Sequence, residues 1–197
     1  RQMCIRDSIS ATKDGKITGL HCHTTADHGA FDACADPTKF PAGFMNICTG
    51  SYDIPTAYLA VDGIYTNKAP GGVAYRCSFR VTEAAYFIER MIEVLAIKLG
   101  MDAAELRAKN FIKKDQFPYQ SALGWEYDSG DYHTGWEKAL KAVGYEDLRK
   151  EQAERVEAFK RGETRTLLGI GLSHFTEIVG AGPVKNCDIL GLGMFDS

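Results

Sequence analysis

The sequence contains no Cys-x-x-Cys pair, its six cysteines falling at positions 4, 22, 34, 48, 77 and 187. That scatter supports neither a zinc-finger framework nor a short disulfide scaffold, and a reducing cytoplasm is the simpler setting for such thiols. No apolar run approaches the roughly 20 residues that span a bilayer, and no signal peptide is visible. Any association with the inner face of a cell membrane therefore has to come through partners. An excess of positive charge is missing too: the formal net charge is -3 and the basic residues are dispersed rather than striped. Direct nucleic-acid binding has no electrostatic footprint here. What remains is ordinary globular usage, 197 residues with 45% hydrophobic and 25% charged side chains, enough for one or two domains.

Ser8 to Thr24 has the pattern of a β-hairpin, with Lys13-Asp14-Gly15-Lys16 as the turn. Alternation places His21 and His23 on one face and Cys22 on the other. These histidines, with His28, Cys22 and Cys34, are the one metal-like cluster outside the Cys77 region, but no zinc spacing matches, and a polar sheet face is the better reading. Residues 30–57 are broken by Pro37, Pro41, Gly43, Gly50 and Pro55 into a covering loop with short pieces. Ala57 to Thr66 reads as a strand that delivers the chain into Gly71-Gly72, where glycine permits close backbone approach.

Thr82 to Leu99 is the clearest helix. Ala84, Phe87, Ile88, Met91, Leu95 and Leu99 recur at helical spacing, with Thr82 as N-cap and Gly100 just past the end. The Phe87 and Met91 stripe is core rather than a cofactor box. Asp102 caps a short helix to about Asn110 as an aspartate variant of the capping box. Lys113 to Leu123 reads as a surface connection, followed by a strand at Trp125–Tyr127, a helix from Tyr132 to Val143 closed by Gly144, and a charged, solvated helix from about Glu146 to Arg161. Thr166 to Ser173 then resumes as a strand.

The chemistry concentrates in Val73-Ala74-Tyr75-Arg76-Cys77-Ser78-Phe79-Arg80, which sets one thiol between two guanidinium groups at the mouth of the Thr82 helix. Positive charge and a helix start both favour thiolate, and a thiolate is the soft ligand that suits Cu(I). Gly180-Ala181-Gly182 is a second candidate, able to cradle the pyrophosphate of a dinucleotide cofactor through backbone amides, although such a pair of glycines also suits a turn or bulge. Glu177, before it, is a lone carboxylate with a structural reading.

The eight-residue run resembles the active-site loop of the large, molybdenum-binding subunit of the aerobic carbon monoxide dehydrogenases, in the form with the signature Ala-Tyr-x-Cys-Ser-Phe-Arg. Related molybdenum hydroxylases, the xanthine dehydrogenases and aldehyde oxidases, look similar around the aromatic-Arg pair but carry glycine where this chain has Cys77. Val61 to Asn67, Thr82 to Ala85, Gln116 to Tyr119, Tyr127 to Tyr132 and Phe175 to Pro183 are also similar to family sequence. Residues 1–8 fit it poorly, and they are set aside as foreign.

The resemblance implies an α+β fold, with residues 9–115 as the C-terminal part of one molybdenum-cofactor-binding domain and 116–197 as the N-terminal part of a second. It implies a fragment of a catalytic subunit that is inactive alone. Cys77 is the implied copper ligand, the copper joined through a sulfide to molybdenum on molybdopterin cytosine dinucleotide. Arg76, Ser78 and Phe79 line the site, Phe79 shaping an apolar pocket for a very small substrate. Carbon monoxide is oxidised with water to carbon dioxide, and electrons leave through an iron–sulfur small subunit and an FAD-binding medium subunit, the whole being a dimer of heterotrimers. The family's carboxylate base lies outside these residues. Two other readings remain open: a molybdenum hydroxylase acting on an aldehyde or N-heterocycle, and a non-catalytic assembly domain.

Overall fold

A computed structural model of the chain describes residues 3–27, 29–30, 47–68 and 81–176. The hairpin is present, as β1 (Met3–Ala11) and β2 (Ile17–Asp27), paired antiparallel from Met3 opposite Ala26 to Ala11 opposite Ile17 with an irregularity at Ser10/Ala11. Met3 to Ser8, set aside on sequence grounds, thus continue the first strand in register. β3 (Ala57–Ile64) adds on the other side of β2 and runs parallel to it, giving the order β1-β2-β3. A parallel neighbour needs a long crossover rather than a hairpin, and residues 28–56 supply that length.

Alternation along β2 divides the sheet as expected. Leu20, Cys22, Thr24 and Ala26 are buried on one face, while His21 stacks on Tyr58 with ring centroids 5.1 Å apart and His23 bonds Asp62 at 2.6 Å on the other. The polar-face reading of the two histidines therefore holds. On the buried side Ile17, Leu20, Cys22 and Leu59 join Phe87, Ile88, Ile92 and Leu95 of α1 (Val81–Leu99) in one core cluster. Met91 also belongs to it, as the helical stripe indicated.

α1 begins at Val81, so Thr82 lies within its first turn rather than capping it; the Thr82 hydroxyl donates to Glu83. The far end closes as anticipated: Gly100 N–H donates to Ile97 O and Met101 N–H to Ala96 O, the paired bonds of a glycine-terminated helix. Asp102 then caps α2 (Ala103–Asn110), accepting from the amides of Ala104 and Glu105. Asn110, fully buried, bonds Ile17 N–H, Gly15 O and Leu106 O, fastening the hairpin turn to the end of α2.

The expected surface connection holds a short 3₁₀ turn, Lys114–Gln116, and a two-residue strand β4 (Tyr119–Gln120) paired with β5 (Glu126–Tyr127). β4 is too short to show a period. α3 (Tyr132–Val143) ends at Gly144, and α4 (Tyr145–Lys160) carries the i,i+3 and i,i+4 pairs Asp147–Lys150, Glu151–Arg155 and Glu157–Lys160 on an exposed surface. Trp136 of α3 and Tyr145 of α4 reach into the same core cluster as the sheet and α1.

Residues 164–176 form no strand ladder among the described residues, against the expectation of a strand over Thr166–Ser173. Burial nevertheless alternates residue by residue from Leu167 to Thr176, the signature of extended chain laid along a surface. Side chains hold it where a neighbouring strand does not: Gln152 Nε2 donates to Leu168 O and Arg107 Nη2 to Leu172 O.

Candidate functional site

Arg76, Cys77, Ser78 and Phe79 lie outside the described residues, as do Gly180, Ala181, Gly182, Glu177, His28 and Cys34. What the structure gives is the frame from which the two candidate segments depart. Before the first of them, Asp27 at the end of β2 gathers the chain that follows β3. Its Oδ1 accepts from Thr66 Oγ1 at 2.7 Å and from Gly29 N–H at 2.9 Å, and its Oδ2 from Lys68 Nζ at 2.9 Å. Backbone bonds from Thr66 N–H to Gly29 O and from Ala30 N–H to Lys68 O complete the anchor. Lys68, Thr66 and the Gly29 amide hold the Asp27 carboxyl down at about 2, so it is ionised at neutral pH.

After that segment, α1 is locked from inside. Glu89 projects into the core and is 6% exposed; Arg107 of α2, at 0%, meets it with Nε donating to Glu89 Oε2 at 2.9 Å. Every guanidinium N–H has a partner: Nη1 donates to Glu93 and Ala103 O, and Nη2 to Glu89 O and Leu172 O. Tyr52 closes the other carboxylate oxygen, donating to Oε1 at 2.5 Å. Burial opposes the Arg107 charge, but Tyr52 and Glu89 outweigh it and hold its pKa above the ordinary value; burial, then Glu89, drives the Tyr52 phenol well up. A satisfied buried ion pair of this kind is costly to break, about 3–5 kcal/mol when one partner is removed. Sequence reasoning missed this network. The readable signal is Glu89 itself, a carboxylate spaced with Ile92 and Ala96 on the apolar face of a helix.

Residues 170–175 run beside the N-terminal half of α1 and enclose with it a cleft of about 630 Å³, lined by Thr82, Tyr86, Arg90, Leu172, Ser173 and Phe175 among others. The first turn after the Cys77 segment and the last residues before the Gly180 segment therefore share one cavity, of a size that takes a small-molecule or cofactor group. On the inward side, His174 Nδ1 lies 3.0 Å from Ser51 Oγ, which lies 2.7 Å from Thr176 Oγ1. The imidazole is surrounded by Phe111, Tyr132 and Trp136, with centroids at 4.6, 5.3 and 5.9 Å. Burial first, then Arg107 and His133, lowers its pKa, so at neutral pH it is uncharged.

Cys22 and Cys48 are poor metal ligands. Burial raises the thiol pKa of Cys22 and raises that of Cys48 well above the usual value, and a protonated thiol is not a ligand. Among the described residues no group of three or more His, Cys, Asp or Glu side chains is arranged to hold a metal ion. No helix among them is long and apolar enough to cross a membrane.

The α+β frame carries a cleft between the N-terminal half of α1 and residues 170–175, and residues 1–111 match the molybdopterin cofactor-binding domain family. The chain belongs to that family. It is 71% identical over 189 residues to the carbon monoxide dehydrogenase large chain of Afipia carboxidovorans, covering 96% of this chain and 23% of that one. The corresponding chain of Hydrogenophaga pseudoflava is 67% identical over 191 residues, 96% of this chain and 23% of the relative. Among solved structures, Cu,Mo-CO dehydrogenase in its carbon monoxide reduced state superposes with a TM-score of 0.90 at 68% identity, covering 98% of this chain and 24% of that chain. Quinoline 2-oxidoreductase from Pseudomonas putida 86 superposes with a TM-score of 0.81 at 26% identity, with the same coverage of 98% and 24%. The chain thus spans about a quarter of the length of the curated relatives it matches.

Proposed function

We propose that this chain is part of the catalytic large subunit of an aerobic molybdenum–copper carbon monoxide dehydrogenase, with Cys77 as the copper ligand. The observation that carries this reading is Ala74-Tyr75-Arg76-Cys77-Ser78-Phe79-Arg80 in a chain 71% identical to a carbon monoxide dehydrogenase large chain. Donor chemistry supports it. Cys22 and Cys48 are held protonated by burial, whereas Cys77 is flanked in sequence by Arg76 and followed by Arg80, the setting that favours a thiolate.

The overall change is oxidation of carbon monoxide with water to carbon dioxide, releasing two electrons and two protons. When bound, copper(I) supplies a soft acceptor for carbon monoxide, and molybdenum on molybdopterin cytosine dinucleotide supplies oxygen-transfer and redox capacity. The chain's own residues hold and orient. Cys77 ligates copper, Arg76 and Ser78 line the loop, and Phe79 keeps the site apolar and small. Asp27 fixes the chain before the loop, and the Glu89–Arg107 pair fixes the helix after it. Gly180, Ala181 and Gly182 offer backbone amides to the cofactor. Residues 9–115 close one cofactor-binding domain and 116–197 open another. Electrons pass to an iron–sulfur small subunit and an FAD-binding medium subunit in a dimer of heterotrimers.

The deciding experiment is Cys77→Ser in the complete, partner-bound enzyme. Serine removes the soft thiolate at nearly constant size, so copper should be absent on metal analysis while molybdenum stays, and carbon-monoxide-dependent dye reduction should fall to background. Full copper and normal turnover in that variant would overturn the assignment. Hydroxylation of an aldehyde or N-heterocycle would then be the better reading.

A further inference from the structure

We propose that the free edge of residues 167–173 pairs with a further β-strand, supplied by the part of the large subunit that lies beyond this chain. The inference rests on the reading of the chain as one piece of a longer subunit and uses neither copper nor carbon monoxide. Thr166 to Thr176 run without turn or bend, and burial alternates along them. The two edges of this extended segment are not alike. In extended chain a residue turns its N–H and C=O to one edge and the next residue turns its pair to the other. Leu168 O is taken by Gln152 of α4 and Leu172 O by Arg107 of α2, so the even-numbered residues face the helices. Leu167, Gly169, Gly171 and Ser173 turn to the opposite edge, and their amides have no hydrogen-bond partner among the described residues. A row of such groups is a template to which a strand adds.

The exposed face of the segment agrees with its edge. Gly169 and Gly171 both lie on that face, yet neither has a positive φ, and a Cβ on either would meet nothing within 4 Å. Nothing within the described residues therefore requires glycine at these positions. Glycine in an extended segment costs backbone entropy, and one of its characteristic uses there is to let another backbone approach closely. Leu167 and Phe175, both exposed, flank the pair, so the covering chain is apolar where it meets them. The relatives have the length to supply it: this chain spans about a quarter of each carbon monoxide dehydrogenase large chain it matches. A strand from the same polypeptide suits the edge better than one from a partner subunit, because an edge left open until assembly is a site of aggregation.

The test uses the complete, partner-bound enzyme. Hydrogen exchange resolved to single amides should be slower at Leu167, Gly169, Gly171 and Ser173, by on the order of 100-fold, than in a free peptide of the same sequence. Exchange there as fast as in the peptide overturns the proposal. A diazirine leucine analogue placed at Leu167 should crosslink, on illumination, to a peptide of the large subunit outside these 197 residues; a crosslink to the small or medium subunit, to a second large subunit, or none, overturns the choice of occupant. Gly169→Val and Gly171→Val give a test of opposite sign. On an open strand a β-branched residue is favourable, whereas under a close-packed backbone it should lower the thermal midpoint and speed exchange at the four amides. An unchanged or raised midpoint overturns the proposal, and if the valine variants do not fold, exchange and crosslinking of the enzyme without them still decide. Copper and activity enter none of these readouts. Failure of the Cys77→Ser test therefore leaves the pairing standing, and failure of the pairing leaves the Cys77 assignment standing.

Discussion

Replacing Arg107 by methionine is the severest single test of the frame. The side chain is fully buried and donates to the Glu89 and Glu93 carboxylates and to the carbonyls of Glu89, Ala103 and Leu172. Methionine fills much of the volume but leaves the Glu89 carboxylate buried with the Tyr52 hydroxyl as its remaining close side-chain partner. Removing one member of a buried pair costs about 3–5 kcal/mol, most of it the desolvation of the charge left behind. The double variant Glu89→Gln with Arg107→Met leaves no uncompensated charge at the Glu89 position and only the part-exposed Glu93 without its Arg107 partner, so it should be more stable than Arg107→Met alone. Arg107→Lys keeps the charge but has fewer N–H donors, leaving carbonyls such as Leu172 O unpaired at about 1–3 kcal/mol. Urea denaturation of the complete subunit, followed by tryptophan fluorescence, ranks these three together with the single variant Glu89→Gln. Arg107→Met costing under about 1 kcal/mol, or a double variant at least as unstable as the sum of the singles, would show that the charges are solvated and that the lock on α1 is not real.

Two further outcomes follow from local geometry. Gly50 sits at φ +59°, and a Cβ there would lie 3.1 Å from Ile88 Cγ2 on α1, so Gly50→Ala should destabilise by about 1–3 kcal/mol through strain and overpacking; Gly162→Ala, also at positive φ but with nothing near its Cβ, should cost only the backbone part, about 1 kcal/mol. Thermal unfolding of the two variants side by side checks the difference. Asp27→Ala removes the bonds to Gly29, Thr66 and Lys68. Because the folded carboxyl is held at about 2, below its ordinary 3.8, its stabilisation is fully present above about 3.8 and is lost as pH falls through about 2. The gap in melting temperature between wild type and Asp27→Ala should therefore narrow across that range, and a gap that stays constant would mean the ionised carboxylate is not its source.

The regular parts of the fold were legible because local chemistry and tertiary packing agree there. The hairpin turn, the stripe of Ala84, Phe87, Ile88, Met91 and Leu95, the Asp102 cap and the Gly100 and Gly144 stops each correspond to an element or boundary in the structure. Failures came where an element depends on something distant. α1 starts at Val81 rather than Thr82, a difference of one residue within the ordinary uncertainty of helix ends. Thr166 to Ser173 carries the alternation of a strand and lies extended, but strand identity requires a neighbour, and alternation in one segment says nothing about whether one is beside it. The parallel pairing of β2 with β3 was invisible for the same reason.

Legibility at the site runs the other way. The candidate chemical residues form a local sequence feature, a thiol among arginines, and lie outside the described residues, whereas the residues that brace α1 are scattered over more than a hundred positions and meet only in three dimensions. Tyr52, Glu89, Arg107 and the Leu172 carbonyl converge from a loop, two helices and an extended tail. None of these residue types in isolation departs from surface usage except Glu89, whose place on the apolar face of α1 demands a buried cation. A carboxylate at such a position has to be neutralised or paired, and the most economical partner is a long basic side chain from the next helix. That rule would have pointed into α2, where Arg107 and Lys109 are the basic residues, and the planar fork of arginine, able to serve two carboxylates and several carbonyls at once, selects Arg107.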